Sequence, residues 1–316
     1  VCQAFGRWNH AMALSWVAHD NLCLDNIYRN GSQYIREKYL PGLCSGKLVG
    51  ALGLTEPGAG SDALGSMRTT AKKEGDHYVL NGSKTYITNG SIADVVIVYA
   101  KTDINKGNKG ITAFVVETNN PGFNVVSKLK KMGFRGSQTS ELFFENLKVS
   151  EKNILGKEGQ GHVVAMNGLD FERAMIAPIS LGISERALEI SIEYAKIREQ
   201  FGKPISSFQM IQSKLADMYT WVQSIKALVY VVLAECDATD KKEGGRGQIH
   251  MNTAASVMHA ASTSNRVLDE TLQIHGGMGY MWESEANRLY RANKLLEIGA
   301  GTTEVRKMII SKVLLK

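Results

Sequence analysis

The sequence predicts an α+β chain in which a helical segment, a β domain and a bundle of long helices follow one another. Apolar residues recur at helical spacing up to about residue 48, lose that spacing between about residues 49 and 156, and regain it beyond Gly159. In the middle part, short β-rich runs alternate with turn residues. We therefore expect domains at 1–48, 49–156 and 157–316, with an antiparallel sandwich or barrel in the middle and a four-helix-type bundle at the end.

The N-terminal segment is expected to contain a long helix and a short one. Leu14, Ala18 and Leu22 repeat every four residues, so they form one stripe that packs in a core or lines a pocket. The short helix is predicted at about Gln33–Tyr39, ending near Pro41-Gly42. Position 1 is not Met and falls inside an amphipathic pattern, so we expect earlier helices to be missing from this chain.

The middle segment is predicted to form hairpins. Asn81-Gly82 and Asn89-Gly90 are strong signals for tight turns. The strands are predicted at His77–Leu80, Thr85–Thr88, Val95–Ala100, Ile111–Glu117 and Glu141–Phe144.

One glycine-rich loop precedes these strands. Gly58-Ala-Gly60-Ser-Asp-Ala63 matches a dinucleotide-binding fingerprint, which in a Rossmann fold stands between a strand and a crossover helix. Here the residues from Met67 to Asn89 are predicted as strands, so we exclude a Rossmann unit. The loop still offers backbone amides and the hydroxyls of Thr55 and Ser61, which suit a flat polar heterocycle or a phosphate. A plain polar turn is the alternative.

The C-terminal segment is predicted as a bundle of amphipathic helices. Gly244-Gly245 and His275-Gly-Gly-Met-Gly279 are expected to separate neighbouring helices. The helices are placed at about 160–198, 206–240, 246–274, 282–295 and 302–314.

The composition narrows the class of protein. With 44% hydrophobic and 22% charged residues, and no run of about 18 apolar residues, the chain is predicted to be globular and without a membrane span. The four cysteines and seven histidines are dispersed, so we expect reduced thiols and no metal site. The net charge of +6 suits nucleic acid, a phosphate-rich ligand or a basic compartment. Because Lys128-Leu-Lys-Lys131 carries no interleaved aromatics, nucleic acid is disfavoured.

Glu172 is the residue that most invites a functional explanation. A carboxylate on an apolar helix face is costly unless it is paired or partly solvated. A glutamate bonded to a neighbouring helix is therefore the alternative to a catalytic one. The apolar residues that share its predicted face are Ala165, Gly168, Leu169, Ile176 and Ile179.

Six motifs occur in a fixed order along the chain. They are Leu54–Asp62, Tyr86–Gly90, Gly133-Phe-Arg-Gly-Ser137 with Thr139, Arg198-Glu-Gln-Phe-Gly202, Gln273-Ile-His-Gly-Gly277 and Gly299-Ala-Gly-Thr-Thr-Glu304. Together they resemble the motifs of the acyl-CoA dehydrogenase family, over the whole length of the chain. The resemblance implies that family's fold, FAD as cofactor and an acyl-CoA substrate.

The position of the catalytic glutamate separates branches of this family. Most members carry it directly before the Gly-Thr of the last motif, where this chain has Ala300. The branch that acts on isovaleryl-CoA carries it on the long helix, in a Leu-Asp-x-Glu-Arg context that Leu169–Arg173 matches. The resemblance therefore implies that Glu172 is the base.

The resemblance also implies the other site residues. Those implied for FAD are Leu52, Leu54, Thr55, Gly60, Ser61, Tyr86, Ile87, Thr88, Arg198, Phe201, Gln209, Gln273, Ile274, His275, Gly276, Gly277, Thr302, Thr303 and Glu304. Those implied for the CoA arm and thioester are Ser61, Asp170, Phe171, Arg173, Ala300 and Gly301, and those for the acyl tail are Leu14, Ala18, Leu22, Ile176, Leu295 and Gly299. A surface ion pair is the alternative for Arg198, and a simple helix break is the alternative for Gln273–Gly277.

The implied reaction is α,β-dehydrogenation of a short branched-chain acyl-CoA, from isovaleryl-CoA to 3-methylcrotonyl-CoA in leucine catabolism. Glu172 removes the α-proton, and flavin N5 accepts the hydride from the β-carbon. The resemblance further implies electron transfer flavoprotein as electron acceptor, a homo-oligomer (a tetramer), and the mitochondrial matrix in a eukaryote or the cytoplasm otherwise. Two alternatives remain: another acyl-CoA dehydrogenase with a long-chain or differently branched substrate, and an inactive flavoprotein-like scaffold.

Overall fold

The computed structural model describes residues 1–238 and 247–316. These residues form two compact units. The helical unit contains Val1–Ala13, Lys131–Arg135 and Asp170–Lys316, and the sheet unit contains Leu14–Lys130 and Gly136–Leu169. The predicted break at Gly244-Gly245 lies outside the described residues, and the division into domains at 1–48, 49–156 and 157–316 stays a prediction.

The N-terminal segment is helical, as predicted. It consists of α1 (Cys2–Val17), a π-helical stretch (Ala18–Leu24), α2 (Asp25–Asn30) and α3 (Gln33–Cys44). The predicted end of the short helix near Pro41-Gly42 is wrong, because α3 continues to Cys44. Its last turn is held by Leu43, which is only 1% exposed in the core of the sheet unit. Burial of that side chain outweighs the backbone hydrogen bond that a proline removes.

The sheet unit is built on one eight-stranded sheet in the order β6-β7-β3-β2-β4-β5-β8, with β1 beside β4. Most neighbours are antiparallel, as predicted, but β1 and β2 each pair with β4 in parallel, so the sheet is mixed. The strands are β1 (Gly50–Gly53), β2 (Thr70–Glu74), β3 (His77–Thr88), β4 (Val95–Lys101), β5 (Ile111–Glu117), β6 (Phe123–Lys128), β7 (Thr139–Ser150) and β8 (Ile154–Leu155).

Both faces of the central strands are buried. In β4, Val96 and Val98 join a core that also contains Tyr78 and Phe144 from β3 and β7. The alternate residues of β4, among them Tyr99, join a second core with α2, α3 and the start of the long C-terminal helix. This explains why β4 and β5 are continuously apolar in the sequence.

One of the two predicted Asn-Gly turns is wrong. At Asn81-Gly82 the strand β3 continues with an irregularity in its pairing to β7, because Leu80 faces Leu147 whereas Gly82 faces Phe144. Gly82 is required there, since a Cβ atom would lie 2.5 Å from Oγ1 of Thr69. Asn89-Gly90 does form a turn, in which the amide of Gly90 donates to the carbonyl of Ile87.

The C-terminal bundle is also confirmed. Its helices are α4 (Gly161–Ile197), α5 (Gln209–Ala238), α6 (Gln248–His275), α7 (Gly277–Tyr280), α8 (Glu285–Asn293) and α9 (Thr303–Leu314), with short strands β9 (Glu199–Gln200) and β10 (Lys203–Pro204) after α4. The residues of α4 up to Leu169 belong to the sheet unit, and those from Asp170 belong to the helical unit. Within residues 1–238 and 247–316, no helix is long and apolar enough to cross a membrane.

Candidate active site

Glu172 is a buried carboxylate in the helical unit, with 8% of its surface exposed. Burial raises the pKa of Glu172 to about 7, while the positive charges of Arg173 and Arg306 act in the opposite direction. In the part of the chain that the structure describes, no side chain donates a hydrogen bond to this carboxylate. The alternative of a glutamate bonded to a neighbouring helix is therefore not supported, and the group is suited to exchange a proton near neutral pH.

Arg306 is the nearby cation on α9, and it is fully buried. Its guanidinium donates from Nη1 to the carbonyl of Leu296 at 2.9 Å and from Nη2 to the carbonyl of Gly299 at 2.6 Å. Burial and, to a smaller extent, the neighbouring Arg173 lower the pKa of Arg306 to about 10. Sequence reasoning missed this residue, because a single arginine inside an amphipathic helix resembles an ordinary surface residue.

Asp170 and Arg173 form a buried ion pair on α4. Nη1 of Arg173 lies 2.7 Å from Oδ1 of Asp170, and Nδ1 of His250 lies 2.5 Å from the same oxygen. Nε of Arg173 donates to the carbonyl of Ala300 at 3.1 Å. Both members of the pair are 2% exposed, so their polar groups are engaged inside the helical unit. Their predicted role as contacts of the CoA arm stays a prediction.

The loop Gly299–Thr302, which precedes α9, is tightly constrained. Ala300 adopts a left-handed backbone conformation with φ of 55°, and Gly301 follows with φ of 91°. Thr302 caps α9, since its hydroxyl accepts from the amide of Val305 at 3.3 Å. Arg173 and Arg306 hold the carbonyls of Ala300 and Gly299. The side chain of Ala300 is a methyl group, so this position of the loop carries no carboxylate.

The residues predicted to contact the acyl tail fall in both units. Leu14, Ala18 and Leu22 belong to the sheet unit, and Ile176, Leu295 and Gly299 belong to the helical unit. Leu22 lies in the wall of a narrow, mostly apolar pocket in the sheet unit. Asn26 and Tyr99 were missed by sequence reasoning, although Asn26 follows Leu22 by one helical turn. The full lining consists of Leu22, Asn26, Leu52, Leu54, Tyr99, Ala165, Gly168 and Leu169.

A buried ion pair holds the start of the glycine-rich loop in place. Nζ of Lys84, which is fully buried, lies 2.8 Å from Oε1 of Glu56 and donates to the carbonyl of Leu54 at 3.1 Å. The carboxylate of Glu56 also accepts from the amides of Arg68 and Thr69. Burial lowers the pKa of Lys84 to about 8. Sequence reasoning did not find this pair, because its members stand 28 residues apart.

The glycine positions of this loop have free space around their backbone. A Cβ atom added at Gly58 or Gly60 would meet nothing within 4 Å. Tyr86 has a left-handed backbone and is 70% exposed. The chain after the loop enters β2, which is antiparallel to β3. This topology confirms that the glycine motif does not belong to a Rossmann unit.

The remaining sheet-unit residues of the predicted cofactor set lie on β1, in the loop or at the end of β3. Thr55 is tied to β3, because its carbonyl accepts from the amide of Thr85 at 2.9 Å. The side chain of Ile87 is buried, and Thr88 faces Thr139 of β7. The half-buried or exposed members of this group are Leu52, Thr55, Gly60, Ser61, Tyr86 and Thr88.

In the helical unit, Arg198, Phe201 and Gln209 are exposed. The guanidinium of Arg198 forms no ion pair within residues 1–238 and 247–316, so the alternative of a surface pair is not supported. Phe201 is 92% exposed and has a left-handed backbone with φ of 52°. An unpaired cation and an exposed aromatic ring three residues apart in the sequence suit an anionic ligand that also carries a flat base.

The segment Gln273–Gly277 joins α6 to α7. His275 is buried, stacks on Tyr194 at 4.4 Å, and donates from Nδ1 to the carbonyl of Thr271 at 2.8 Å. Gln273, Gly276 and Gly277 are exposed. A Cβ atom at either glycine would meet nothing within 4 Å. Ile274 is buried in α6, so the segment presents its backbone and Gln273 outward.

Of the last predicted cofactor residues, Thr302 caps α9, and the hydroxyl of Thr303 donates to the carbonyl of Glu297 at 3.3 Å. Glu304 is exposed. Phe171, predicted to contact the substrate, is half-buried on α4. In the described residues, no group of three or more His, Cys, Asp and Glu side chains is arranged to hold a metal ion.

The chain belongs to the acyl-CoA dehydrogenase family. The models of that family's N-terminal, middle and C-terminal domains match residues 1–47, 51–147 and 159–315. The chain is therefore an acyl-CoA dehydrogenase, a FAD-dependent oxidoreductase that acts on acyl-CoA.

Individual relatives support this assignment. The mitochondrial isovaleryl-CoA dehydrogenase of Oryza sativa subsp. japonica is 46% identical over 99% of this chain and 75% of its own length. The structure of butyryl-CoA dehydrogenase from Megasphaera elsdenii superposes with a TM-score of 0.94 and 41% identity, covering 100% of this chain and 80% of that one. A chain in a structure of the electron transferring flavoprotein of Acidaminococcus fermentans gives a TM-score of 0.94 at 38% identity, covering 100% and 81%.

Each unit by itself offers groups that suit one part of FAD. A dinucleotide requires cations or amides for its diphosphate and uncovered surfaces for its rings. The open backbone at Gly58 and Gly60 meets the second requirement in the sheet unit. The free guanidinium of Arg198 meets the first in the helical unit.

Proposed function

We propose that this chain dehydrogenates a short branched-chain acyl-CoA, converting isovaleryl-CoA to 3-methylcrotonyl-CoA in leucine catabolism, with Glu172 as the base. The observation that carries the proposal is the buried carboxylate of Glu172, whose pKa is raised to about 7 and which no described side chain binds. Ala300 at the alternative position supports it, because that residue cannot take a proton. The similarity to the isovaleryl-CoA dehydrogenase of rice favours the branched substrate.

When bound, FAD would supply, at its N5 atom, the acceptor for the hydride that leaves the β-carbon. The protein supplies the base and the polar surroundings. Glu172 accepts the α-proton, and its low exposure keeps water from competing for the carboxylate. Backbone amides of the loop around Ala300 and Gly301 would polarise the thioester oxygen. Hydrogen-bond donors that are already in position stabilise the negative charge that develops on the enolate oxygen. Arg173 and Arg306 hold this loop in position.

We assign the other predicted site residues the roles that the family resemblance implies. Arg198, Phe201 and Gln209 serve the diphosphate and adenosine part of FAD, and Tyr86–Thr88 with the loop Leu54–Ser61 serve the flavin. Thr302, Thr303 and Glu304 are assigned to FAD as well. Asp170, Phe171, Arg173 and Ser61 serve the CoA arm. The small Gly299 leaves space for a branched tail.

The substrate proposal predicts a preference that flavin reduction measures directly. Purified holoenzyme mixed with isovaleryl-, butyryl- or palmitoyl-CoA is expected to lose its oxidised-flavin absorbance fastest with isovaleryl-CoA. A methylene group in an apolar pocket changes transition-state binding by about 1–3 kcal/mol, so we expect a preference of roughly 10- to 200-fold over the less favoured acyl groups. A preference for palmitoyl-CoA or butyryl-CoA would refute the branched-chain assignment. A protein that does not take up FAD would support a scaffold.

The raised pKa of Glu172 predicts the pH dependence of the reaction. The base must be ionised to accept a proton, so kcat/KM is expected to be low below pH 7, to rise through about pH 7, and to level off above it. The profile is measured with isovaleryl-CoA at fixed ionic strength. A rise of kcat/KM centred at the ordinary pKa of a carboxyl group would contradict the assignment of Glu172 as the base.

We further propose electron transfer flavoprotein as the electron acceptor and a homo-oligomer, most simply a tetramer, as the working form. The exposed Gln273 and the open backbone of Gly276 and Gly277 support a contact with a second copy and its FAD. In a eukaryote, we place the enzyme in the mitochondrial matrix, as the name of the rice relative states for that protein, and otherwise in the cytoplasm.

A further inference from the structure

His250 connects the Asp170–Arg173 pair to the start of α6. Its Nδ1 atom lies 2.5 Å from Oδ1 of Asp170, the oxygen that also binds Arg173. Since the carboxylate is an acceptor, the imidazole donates from Nδ1. The His250 side chain is 16% exposed, whereas those of Asp170 and Arg173 are 2% and 3% exposed. His250 is thus the outer member of a buried hydrogen-bonded series.

The inner end of the series is a backbone group of the constrained loop. Arg173 donates to the carbonyl of Ala300, whose left-handed conformation is unusual for a residue with a Cβ atom. A residue stays in that conformation only where the surrounding contacts hold it. The orientation of Arg173 therefore matters for this loop, and Asp170 with His250 determines that orientation.

We propose that His250 is a positioning residue of the reaction proposed above, on which this inference rests. By donating to Asp170 it fixes the carboxylate, the carboxylate fixes Arg173, and Arg173 fixes the carbonyl of Ala300. The amides that polarise the thioester are in the same loop. Without His250 the Asp170 carboxylate is held by Arg173 alone, so the pair is less constrained and the loop samples geometries in which those amides are misaligned.

Two substitutions of similar polarity separate this role from a general structural one. His250→Asn places an amide nitrogen near the position of Nδ1, and His250→Gln places it near the position of Nε2. We expect His250→Asn to keep kcat within about twofold and His250→Gln to lower kcat by roughly 10- to 100-fold, as expected for small misplacements of catalytic groups. The FAD content is expected to stay within about twofold in both variants, and KM for isovaleryl-CoA is expected to change less than kcat.

Amide hydrogen exchange measures how well the loop before α9 is ordered, independently of turnover. In the FAD-loaded His250→Gln enzyme, a peptide that covers residues 298–302 is expected to exchange faster than in the parent and in His250→Asn. Equal exchange and equal kcat in the two variants would overturn the proposal. A rise of KM alone would also overturn it, because it would make His250 a binding residue.

A double-mutant cycle tests whether His250 acts through Asp170. In an Asp170→Asn background, His250→Gln is expected to lower kcat by no more than about twofold further. If the effects of the two substitutions on kcat are fully additive, His250 does not act through Asp170. The proposed function has its own test, because turnover retained in Glu172→Gln would remove the base assignment. If Glu172→Gln is inactive and the cycle is additive, only the inference about His250 fails.

Discussion

Glu172→Gln is expected to yield a folded enzyme that keeps FAD and binds acyl-CoA but loses turnover by about 10²- to 10⁴-fold, the range of general-base contributions. The amide has nearly the shape of the carboxyl group but does not accept the α-proton. Because Glu172 is buried and unbound by described side chains, the neutral amide is not expected to disturb its surroundings. Flavin reduction by isovaleryl-CoA in stopped flow measures the loss, and the spectral change on substrate binding confirms occupancy.

The matched control is Glu193→Gln, the same substitution at an exposed position of the same helix. It is expected to leave turnover unchanged. Adding Ala300→Glu to Glu172→Gln returns a carboxylate to the position that most relatives use, and partial recovery is expected. Turnover above about a tenth of the parent value in Glu172→Gln would place the base on another residue.

Lys84→Met is expected to cost roughly 3–5 kcal/mol in the free energy of unfolding, as observed when one partner of a buried pair is removed. The substitution leaves the carboxylate of Glu56, 5% exposed, without its cation. It also removes the donor to the carbonyl of Leu54, which begins the glycine-rich loop. We therefore expect FAD retention to fall as well. Urea unfolding and the ratio of flavin to protein absorbance measure the two effects.

Two controls show that the loss comes from the buried pair. Lys84→Met combined with Glu56→Gln removes both charges but keeps an acceptor for the amide of Thr69, so more than half of the stability is expected to return. Lys73→Met breaks an exposed pair with Glu151 and is expected to change stability by less than about 1 kcal/mol. A stable Lys84→Met enzyme with full FAD content would contradict the role of Lys84 as the anchor of the loop.

Local sequence signals succeeded where local physics controls the outcome. The continuous apolar runs of β4 and β5 and the long amphipathic helices α5 and α6 were predicted because their burial patterns repeat along the chain. The turn predicted at Asn81-Gly82 is wrong because Gly82 is needed for the close approach of Thr69. The dipeptide alone does not reveal this long-range contact. The predicted end of α3 is wrong for a similar reason, since burial of Leu43 stabilises the helix beyond Pro41.

The sequence by itself determined the order of helical and β segments and the family, through its ordered motifs. It also led to the prediction that Glu172 is the base, since Ala300 offers no carboxylate. The tertiary structure alone decided that Glu172 is buried with a raised pKa and that His250 bonds to Asp170. It also decided that Arg306 holds the loop before α9 in the helical unit, and that Lys84 holds the glycine-rich loop in the sheet unit. The physical reason is that burial and hydrogen bonding of a polar side chain depend on residues far away in sequence. His250, for example, meets Asp170 across 80 positions of the chain, and only the folded packing of α6 near α4 brings the two together.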